Sequence, residues 1–376
     1  MIRADIGRVG ADQHTGIGLD QPCDPRADPH RIGSRVIDKT WKDVVGDLPF
    51  LCQFIDGTEN GVVFHIRDQH VIALPQKSFD GNIQRHGGIH GEDDNFDKDI
   101  KCEANEIIGT DIHLDFPSVG ATENIMLAAV LAEGTTIINN AAMEPEIIDL
   151  ANCLNAMGAH VYGAGTNIIK IIGVRKLKGI SYKIIPDRIE AGTFLCAGAI
   201  TGGKVKINNV NPEHMIPIIH KLEECGCNIY VEKNSIELQA PKRLKSVEIR
   251  TMPYPGFPTD MQQIFGSMLT ISKGTSIIIE NIFENRYKYL NELIRMGAKI
   301  KVEGKTAVII GKKKLNGTNV ESYDLRGGAG LVVAALAAKG TSIISNIEYI
   351  LRGYENMEEK LRKIGANIKQ VGENNV

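Results

Sequence analysis

Asp260 and three arginines are the residues of this 376-residue chain best placed to do chemistry. Asp260 sits in the run Pro255-Gly256-Phe257-Pro258-Thr259-Asp260-Met261-Gln262, where prolines and a glycine constrain a loop ahead of a helix. A rigidly held carboxylate there can serve as a general base; an N-cap aspartate is the structural alternative. Arg286 follows Ile282-Phe283-Glu284-Asn285, Arg326 lies in Asp324-Leu325-Arg326-Gly327-Gly328, and Arg352 lies in Leu351-Arg352-Gly353-Tyr354. Lysine outnumbers arginine 23 to 9 over residues 101–376, so arginine at these loops and helix starts points to planar, bidentate recognition of carboxylate or phosphate. Phe116-Pro117-Ser118-Val119-Gly120-Ala121-Thr122-Glu123-Asn124 adds a further candidate. Ser118, Val119 and Gly120 there open a helix whose free N–H groups can meet an anion or simply be capped.

The elements that must position these residues recur along the chain. Gly134, Gly203, Gly274 and Gly340 each close an apolar helix and precede a short β run; Gly158, Gly226, Gly297 and Gly365 follow 23 to 25 residues later, each after a second helix. Within the first copy, residues 123–132 are good helix formers, 135–138 reads as a strand, and Pro145 opens a helix with an apolar stripe at Ile147, Ile148, Leu150, Ala151, Leu154 and Met157. Two strands, 160–162 and 168–172, complete an αβαββ unit. One unit cannot bury both faces of its helices, so several must pack around a shared core. The fold class is therefore α/β (α+β), built from repeats packed around buried helices.

Composition excludes several classes. A net charge of -3 argues against nucleic acid as a partner. No window approaches the roughly 20 apolar residues of a membrane span, and Asp5 and Asp12 leave the amino terminus without a signal-peptide core, so a cytoplasmic protein with no membrane partner is expected. Seven scattered cysteines suggest reduced thiols, with Cys225 and Cys227 as packing residues. Residues 1–100 differ: they hold seven Arg against four Lys and fifteen Asp against two Glu, show no repeat, and offer one strand-like run at 61–66. This segment, 1–112, is expected to be poorly ordered. Its His86-Gly87-Gly88-Ile89-His90-Gly91-Glu92-Asp93-Asp94 run reads as a solvated acidic loop and not as a metal site, because adjacent flexible residues do not converge.

Taken together the motifs resemble the enolpyruvyl transferases, and among them the branch acting on UDP-N-acetylglucosamine. The strings that carry the resemblance are 116–124, Gly134-Thr135-Thr136 with Glu144-Pro145-Glu146, Ile185-Pro186-Asp187-Arg188-Ile189-Glu190-Ala191-Gly192-Thr193-Phe194, 257–262, Phe283-Glu284-Asn285-Arg286 and Asp324-Leu325-Arg326. They span about residues 115–371. The resemblance implies two domains of three repeats each, and transfer of the enolpyruvyl group of phosphoenolpyruvate to the sugar 3-hydroxyl with release of phosphate. It implies no cofactor and no metal. By resemblance, Asp260 accepts the hydroxyl proton; Ser118, Val119, Gly120, Ile282 and Arg286 hold the nucleotide sugar; Arg326 and Arg352, with Arg286 nearby, hold phosphoenolpyruvate. Phe116 stands where many relatives have Lys.

The chain also departs from the family pattern. Residues 113–186 read as one repeat of a first, truncated domain, and 187–376 as a complete three-repeat domain. The Lys-Asn pair, one arginine and the Gly-rich loop with its general-acid Cys are not recognisable. The nearest echo, Ile32-Gly33-Ser34-Arg35-Val36-Ile37-Asp38 with Cys23 upstream, reads as coincidence. An inactive remnant that keeps an anion-binding domain is therefore the alternative, and the sibling that acts on shikimate 3-phosphate a further one. The single repeat is also expected to leave Ile125, Met126, Leu127 and Val130 without their usual neighbours.

Overall fold

The computed structural model describes residues 106–372 and, ahead of them, the backbone of four strands: β1 (Ile2–Asp5), β2 (Gly16–Ile17), β3 (Val62–Ile66) and β4 (Ile100–Ala104). The strand expected near 61–66 is β3, which pairs antiparallel with β4. The histidine-rich run 86–94, the segment 32–38 and Cys23 lie outside the described residues. The chain divides into two compact units, Met1–Arg26 with Ile185–Val376, and Ala27–Ile184.

In the unit Ala27–Ile184, β5 (Asp111–His113), helix α1 (Val119–Ala129), β6 (Thr135–Asn139), α2 (Pro145–Ala156), β7 (His160–Tyr162) and β8 (Ile168–Ile172) follow one another. The sheet order is β5-β6-β8-β7, with β5 parallel to β6 and the remaining pairs antiparallel. Alternation sends Ile169 and Ile171 of β8 into the core beside Ile138, Ile147, Leu150 and Leu154. Ile125, Met126 and Val130 are buried within the same core and only Leu127 is partly exposed, contrary to the expectation that all four lack neighbours.

The other unit carries three further repeats. Its helices are α3 (Arg188–Ile200), α4 (Ile216–Glu224), α5 (Thr259–Leu269), α6 (Lys288–Arg295), α7 (Leu325–Leu336), α8 (Glu348–Leu351) and α9 (Met357–Lys363). Its strands are β9 (Lys204–Asn208), β10 (Asn228–Glu232), β11 (Ser235–Gln239), β12 (Glu248–Arg250), β13 (Thr275–Ile279), β14 (Lys299–Glu303), β15 (Thr306–Ile310), β16 (Leu315–Asn316), β17 (Asn319–Glu321), β18 (Ala338–Lys339), β19 (Ser342–Ser345) and β20 (Asn367–Gln370). The helices α3, α5 and α7 pack on one another and are buried almost all round, α5 with the polar side chains of Gln262, Gln263 and Ser267 included. Small residues permit this: a Cβ on Gly330 of α7 would lie 2.7 Å from Ser267 Oγ and 2.9 Å from the Gln263 carbonyl oxygen of α5.

The middle sheet, β12-β13-β15-β14, repeats the order seen in the other unit. The two flanking sheets borrow a strand from the head of the chain. In β17-β19-β1-β20, β1 lies antiparallel between β19 and β20; in β10-β11-β9-β2, β2 lies parallel to β9. The sequence pattern assigned residues 1–112 to neither repeat region, because strands of four and two residues have no periodicity to read.

The repeat glycines have specific tasks. Gly158, Gly226, Gly297 and Gly365 follow the second helix of each repeat at φ 101°, 93°, 90° and 100°, a left-handed conformation costly for a side chain. Each ends its helix in a Schellman pair, as in Gly158 N–H to the Asn155 carbonyl and Ala159 N–H to the Leu154 carbonyl, both at 3.0 Å. Gly134 does not cap α1, which ends at Ala129; it turns the chain into β6, and in the next copy Gly202, not Gly203, adopts positive φ.

Candidate anion-binding and catalytic site

Asp260 is the second residue of α5, behind Pro258 at the N-cap, so it is not the capping aspartate that its position in the sequence allowed. Its carboxylate is bound from two sides. Arg286 Nη2 donates to Oδ1 at 2.7 Å and Arg326 Nε donates to Oδ2 at 3.1 Å. Burial alone would raise the Asp260 pKa, but the charges of Arg326, Arg286 and Arg188 outweigh it and hold the carboxyl well below its usual range. The three arginines come from different elements. Arg286 leaves the loop after β13, Arg326 is the second residue of α7, and Arg188 is the first residue of α3.

Each is fixed by its surroundings. Asp324 caps α7 by accepting the Gly327 N–H at 2.8 Å and also accepts Gln263 Nε2 at 3.1 Å, which locks the start of α7 to α5. The Arg326 guanidinium lies 5.3 Å from the ring centroid of Tyr354, a fully buried side chain whose hydroxyl is 2.9 Å from Thr193 Oγ1 on α3. Burial pushes the Tyr354 hydroxyl up to about 12, so it stays neutral beside the arginine. The Arg286 guanidinium lies 4.7 Å from the centroid of the exposed Phe283 ring, and Arg188 lies 5.9 Å from that of Tyr254. Asp187 caps α3 by accepting the N–H groups of Ile189 and Glu190 at 2.7 and 3.0 Å.

Arg352 caps the C-terminal end of α8, is exposed, and makes no side-chain hydrogen bond or ion pair among the described residues. It stands two residues ahead of Tyr354. Ile282 is half-buried, its N–H donating to Glu280 Oε1 at 2.9 Å. Asp260, Ile282, Arg286, Arg326 and Arg352 thus all lie in one unit, and ion pairs join three of them directly.

Ser118, Val119 and Gly120 lie in the other unit. Ser118 is the N-cap of α1, with Oγ accepting the Ala121 N–H at 3.3 Å, and Val119 and Gly120 form the first turn as expected. One turn further, Glu123 is a carboxyl that sequence reasoning passed over. Burial, and then the negative charges of Glu146 and Glu144, push its pKa to about 8, so it is largely protonated at neutral pH. The signal lay in Glu123, Glu144 and Glu146, which share one repeat but converge only once α1 and α2 pack. Arg188 and Tyr354 were missed as well, since neither stands out until α3, α5 and α7 converge.

Among the described residues no cluster of three or more potential ligands could hold a metal ion, and no helix is long and apolar enough to cross a membrane. Cys196, Cys225 and Cys227 are buried free thiols, and burial pushes Cys225 up to about 12 and Cys227 to about 11, which fits packing and not nucleophilic chemistry.

Comparison with known proteins gives the family. The EPSP synthase (3-phosphoshikimate 1-carboxyvinyltransferase) family profile matches residues 86–361. The chain belongs to that family of enolpyruvyl transferases. Within it, the chain is 55% identical over 269 residues to UDP-N-acetylglucosamine 1-carboxyvinyltransferase 1 of Caldanaerobacter subterraneus, covering 72% of this chain and 65% of the relative. It is 53% identical over 271 residues to UDP-N-acetylglucosamine 1-carboxyvinyltransferase 2 of Clostridium acetobutylicum, with the same two coverages. The chain therefore spans about 65% of the length of the curated relatives it matches. Those relatives belong to the branch that the motifs resembled. Among solved structures, the enolpyruvyl transferase NikO from Streptomyces tendae aligns with a TM-score of 0.66 at 24% identity, over 73% of this chain and 68% of that one. EPSP synthase from Acinetobacter baumannii aligns with a TM-score of 0.59 at 21% identity, over 72% and 66% of the two chains. At these identities the family members share the fold.

Proposed function

We propose that the chain is a UDP-N-acetylglucosamine 1-carboxyvinyltransferase, moving the enolpyruvyl group of phosphoenolpyruvate to the sugar 3-hydroxyl and releasing phosphate. This is a cytoplasmic step in making cell-wall precursors. The observation that carries the reading is the Asp260 carboxylate held between Arg286 and Arg326, in a chain whose relatives of that name are 55% and 53% identical.

Phosphoenolpyruvate presents a phosphate and a carboxylate, and a site of several arginines balances them. Arg326, stacked on Tyr354, and the exposed Arg352 are the residues assigned to it. Ile282 and Arg286 are assigned to the nucleotide sugar, as are Ser118, Val119 and Gly120 from their own unit. Asp260 accepts the proton of the attacking hydroxyl. With both arginines on it, Asp260 is a weak base, because its charged form is the one they stabilise. An anionic substrate that draws Arg326 away raises the proton affinity of Asp260, so the base strengthens as the second substrate arrives. The general-acid cysteine loop that the resemblance implies has no assigned counterpart here, which keeps an inactive anion-binding remnant as the alternative reading.

The test is phosphate release from the purified chain given UDP-N-acetylglucosamine and phosphoenolpyruvate, with Asp260→Ala beside it. Release that needs both substrates and Asp260 supports the transferase. A folded chain that binds phosphoenolpyruvate but releases no phosphate supports the remnant. Release with shikimate 3-phosphate in place of the sugar would move the chain to the sibling activity.

A further inference from the structure

The four repeats share a turn that one copy breaks. Six residues after the leading glycines Gly134, Gly203 and Gly340 stand Asn140, Asn209 and Asn346, at φ 56°, 54° and 55°, a left-handed conformation that asparagine tolerates. The next residues, Ala141, Val210 and Ile347, are buried. In the remaining copy the sixth residue after Gly274 is Glu280, 1% exposed, and the next is the exposed Asn281. The inward and outward positions are exchanged, so the chain leaves β13 on a path of its own.

A buried carboxylate is costly unless it is fully hydrogen-bonded. Glu280 Oε1 accepts the Thr251 hydroxyl at 2.8 Å and the N–H groups of Ile282 and Phe283 at 2.9 and 3.2 Å, while Oε2 accepts the Thr259 hydroxyl at 2.9 Å. Thr251 Oγ1 in turn accepts the Asn281 N–H at 2.8 Å. One side chain thus joins the residue after β12, the first residue of α5 and the loop 281–283. With both N–H groups turned inward, Phe283 presents its side chain to the outside and that of Ile282 is left half-buried. The Arg286 to Asp260 ion pair is a second tie between the same loop and the same helix turn, but it must open if Asp260 is to exchange arginines for substrate. The hydroxyl and amide ties of Glu280 need not.

We infer that Glu280 is a positioning residue for the sugar nucleotide: its carboxylate sets loop 281–283 against the first turn of α5, and so holds Ile282 and Asp260 toward one ligand. The inference rests on the carboxyvinyltransferase reading for the identity of that ligand. Glu292 supplies the control. It is also buried, at 3% exposure, and accepts from Arg295 Nη1 and the Glu321 N–H, away from this loop.

The experiment compares the full chain with Glu280→Gln and Glu292→Gln, measuring amide exchange at Ile282 and Phe283 by NMR and the affinities for UDP-N-acetylglucosamine and phosphoenolpyruvate by calorimetry. Loss of charge-assisted hydrogen bonds in Glu280→Gln is expected to speed exchange and weaken the sugar nucleotide by about tenfold or more each. Phosphoenolpyruvate affinity is expected to stay within about twofold, as are all readouts in Glu292→Gln. Thr259→Val, which removes only the donor to Glu280 Oε2, gives the same pattern at a smaller amplitude and serves if Glu280→Gln does not fold. Unchanged exchange, equal loss for both ligands, or an identical response in Glu292→Gln overturns the inference. A parent chain that binds no sugar nucleotide sinks the functional reading instead, and the exchange comparison then decides by itself whether Glu280 anchors the loop.

Discussion

Arg286 Nη2 and Asp260 Oδ1 meet at 2.7 Å across the gap between a loop and a helix start that the sequence keeps 26 residues apart. The Asp260 side chain is 29% exposed and that of Arg286 17%, so the pair is partly screened by solvent and open to competing anions. With Arg326 on the other oxygen, the carboxylate occupies the place of a bound anion in its own site.

Replacing that carboxylate should expose the cationic character of the site. Asp260→Asn is expected to lose stability at pH 7, since Arg286 and Arg326 are left facing each other without a counter-charge, and phosphate should restore it. Asp260 has a lowered pKa, so its contribution is present above the usual carboxylate range and is lost as pH falls below it. Thermal unfolding with and without phosphate, at pH 7 and pH 3, checks both points. A variant indifferent to phosphate would count against an anion site.

Tyr354→Phe should separate orientation from charge. The ring beside Arg326 remains, but the hydroxyl's bond to Thr193 and its hydrogen bond with the Arg326 side chain are lost from a fully buried position, at a cost of about 1–2 kcal/mol. If Tyr354 aligns Arg326, the Michaelis constant for phosphoenolpyruvate should rise several-fold while that for the sugar nucleotide stays put.

Glu123 predicts a pH dependence of the opposite sign to that of Asp260. Its folded pKa of about 8 lies above its unfolded value, so the folded state binds the extra proton and stability falls as pH rises between the two. Glu123→Gln should therefore stabilise the chain by roughly 4 kcal/mol at pH 8, at ~1.4 kcal/mol per pKa unit, and have little effect at pH 4. Denaturant titrations of both proteins at the two pH values test this.

Gly297→Ala should cost about 1 kcal/mol or more without touching the site, because φ of 90° suits no side chain. Urea midpoints would show the loss, and ligand affinities should not move.

The repeat was legible because it is written locally: glycine after each second helix, an apolar stripe through α2, and alternating isoleucines in β8 each declare themselves within a dozen residues. The site was legible through short strings, and Asp260, Arg286 and Arg326 do converge. What stayed hidden depends on distance. Tyr354 reads as one more aromatic until Thr193, 161 residues earlier, meets its hydroxyl. Glu280 reads as a surface glutamate until Thr251, Thr259 and two amides close on it. The strand role of Ile2–Asp5 could not be read, since nothing in four residues points to partners at the far end of the chain.

That strand also sets a schedule. Ile2 pairs with Ile344 and with Gln370, so this strand is synthesised more than three hundred residues before the two strands it is seated between. At typical translation rates their partners follow roughly 20 to 70 s later. Over that interval the sheet β17-β19-β1-β20 cannot form, and only the parts of the chain built from near neighbours can settle. Native order in this sheet is therefore reached only once β20 has been made, and until then β1 is an unpaired strand that can pair elsewhere.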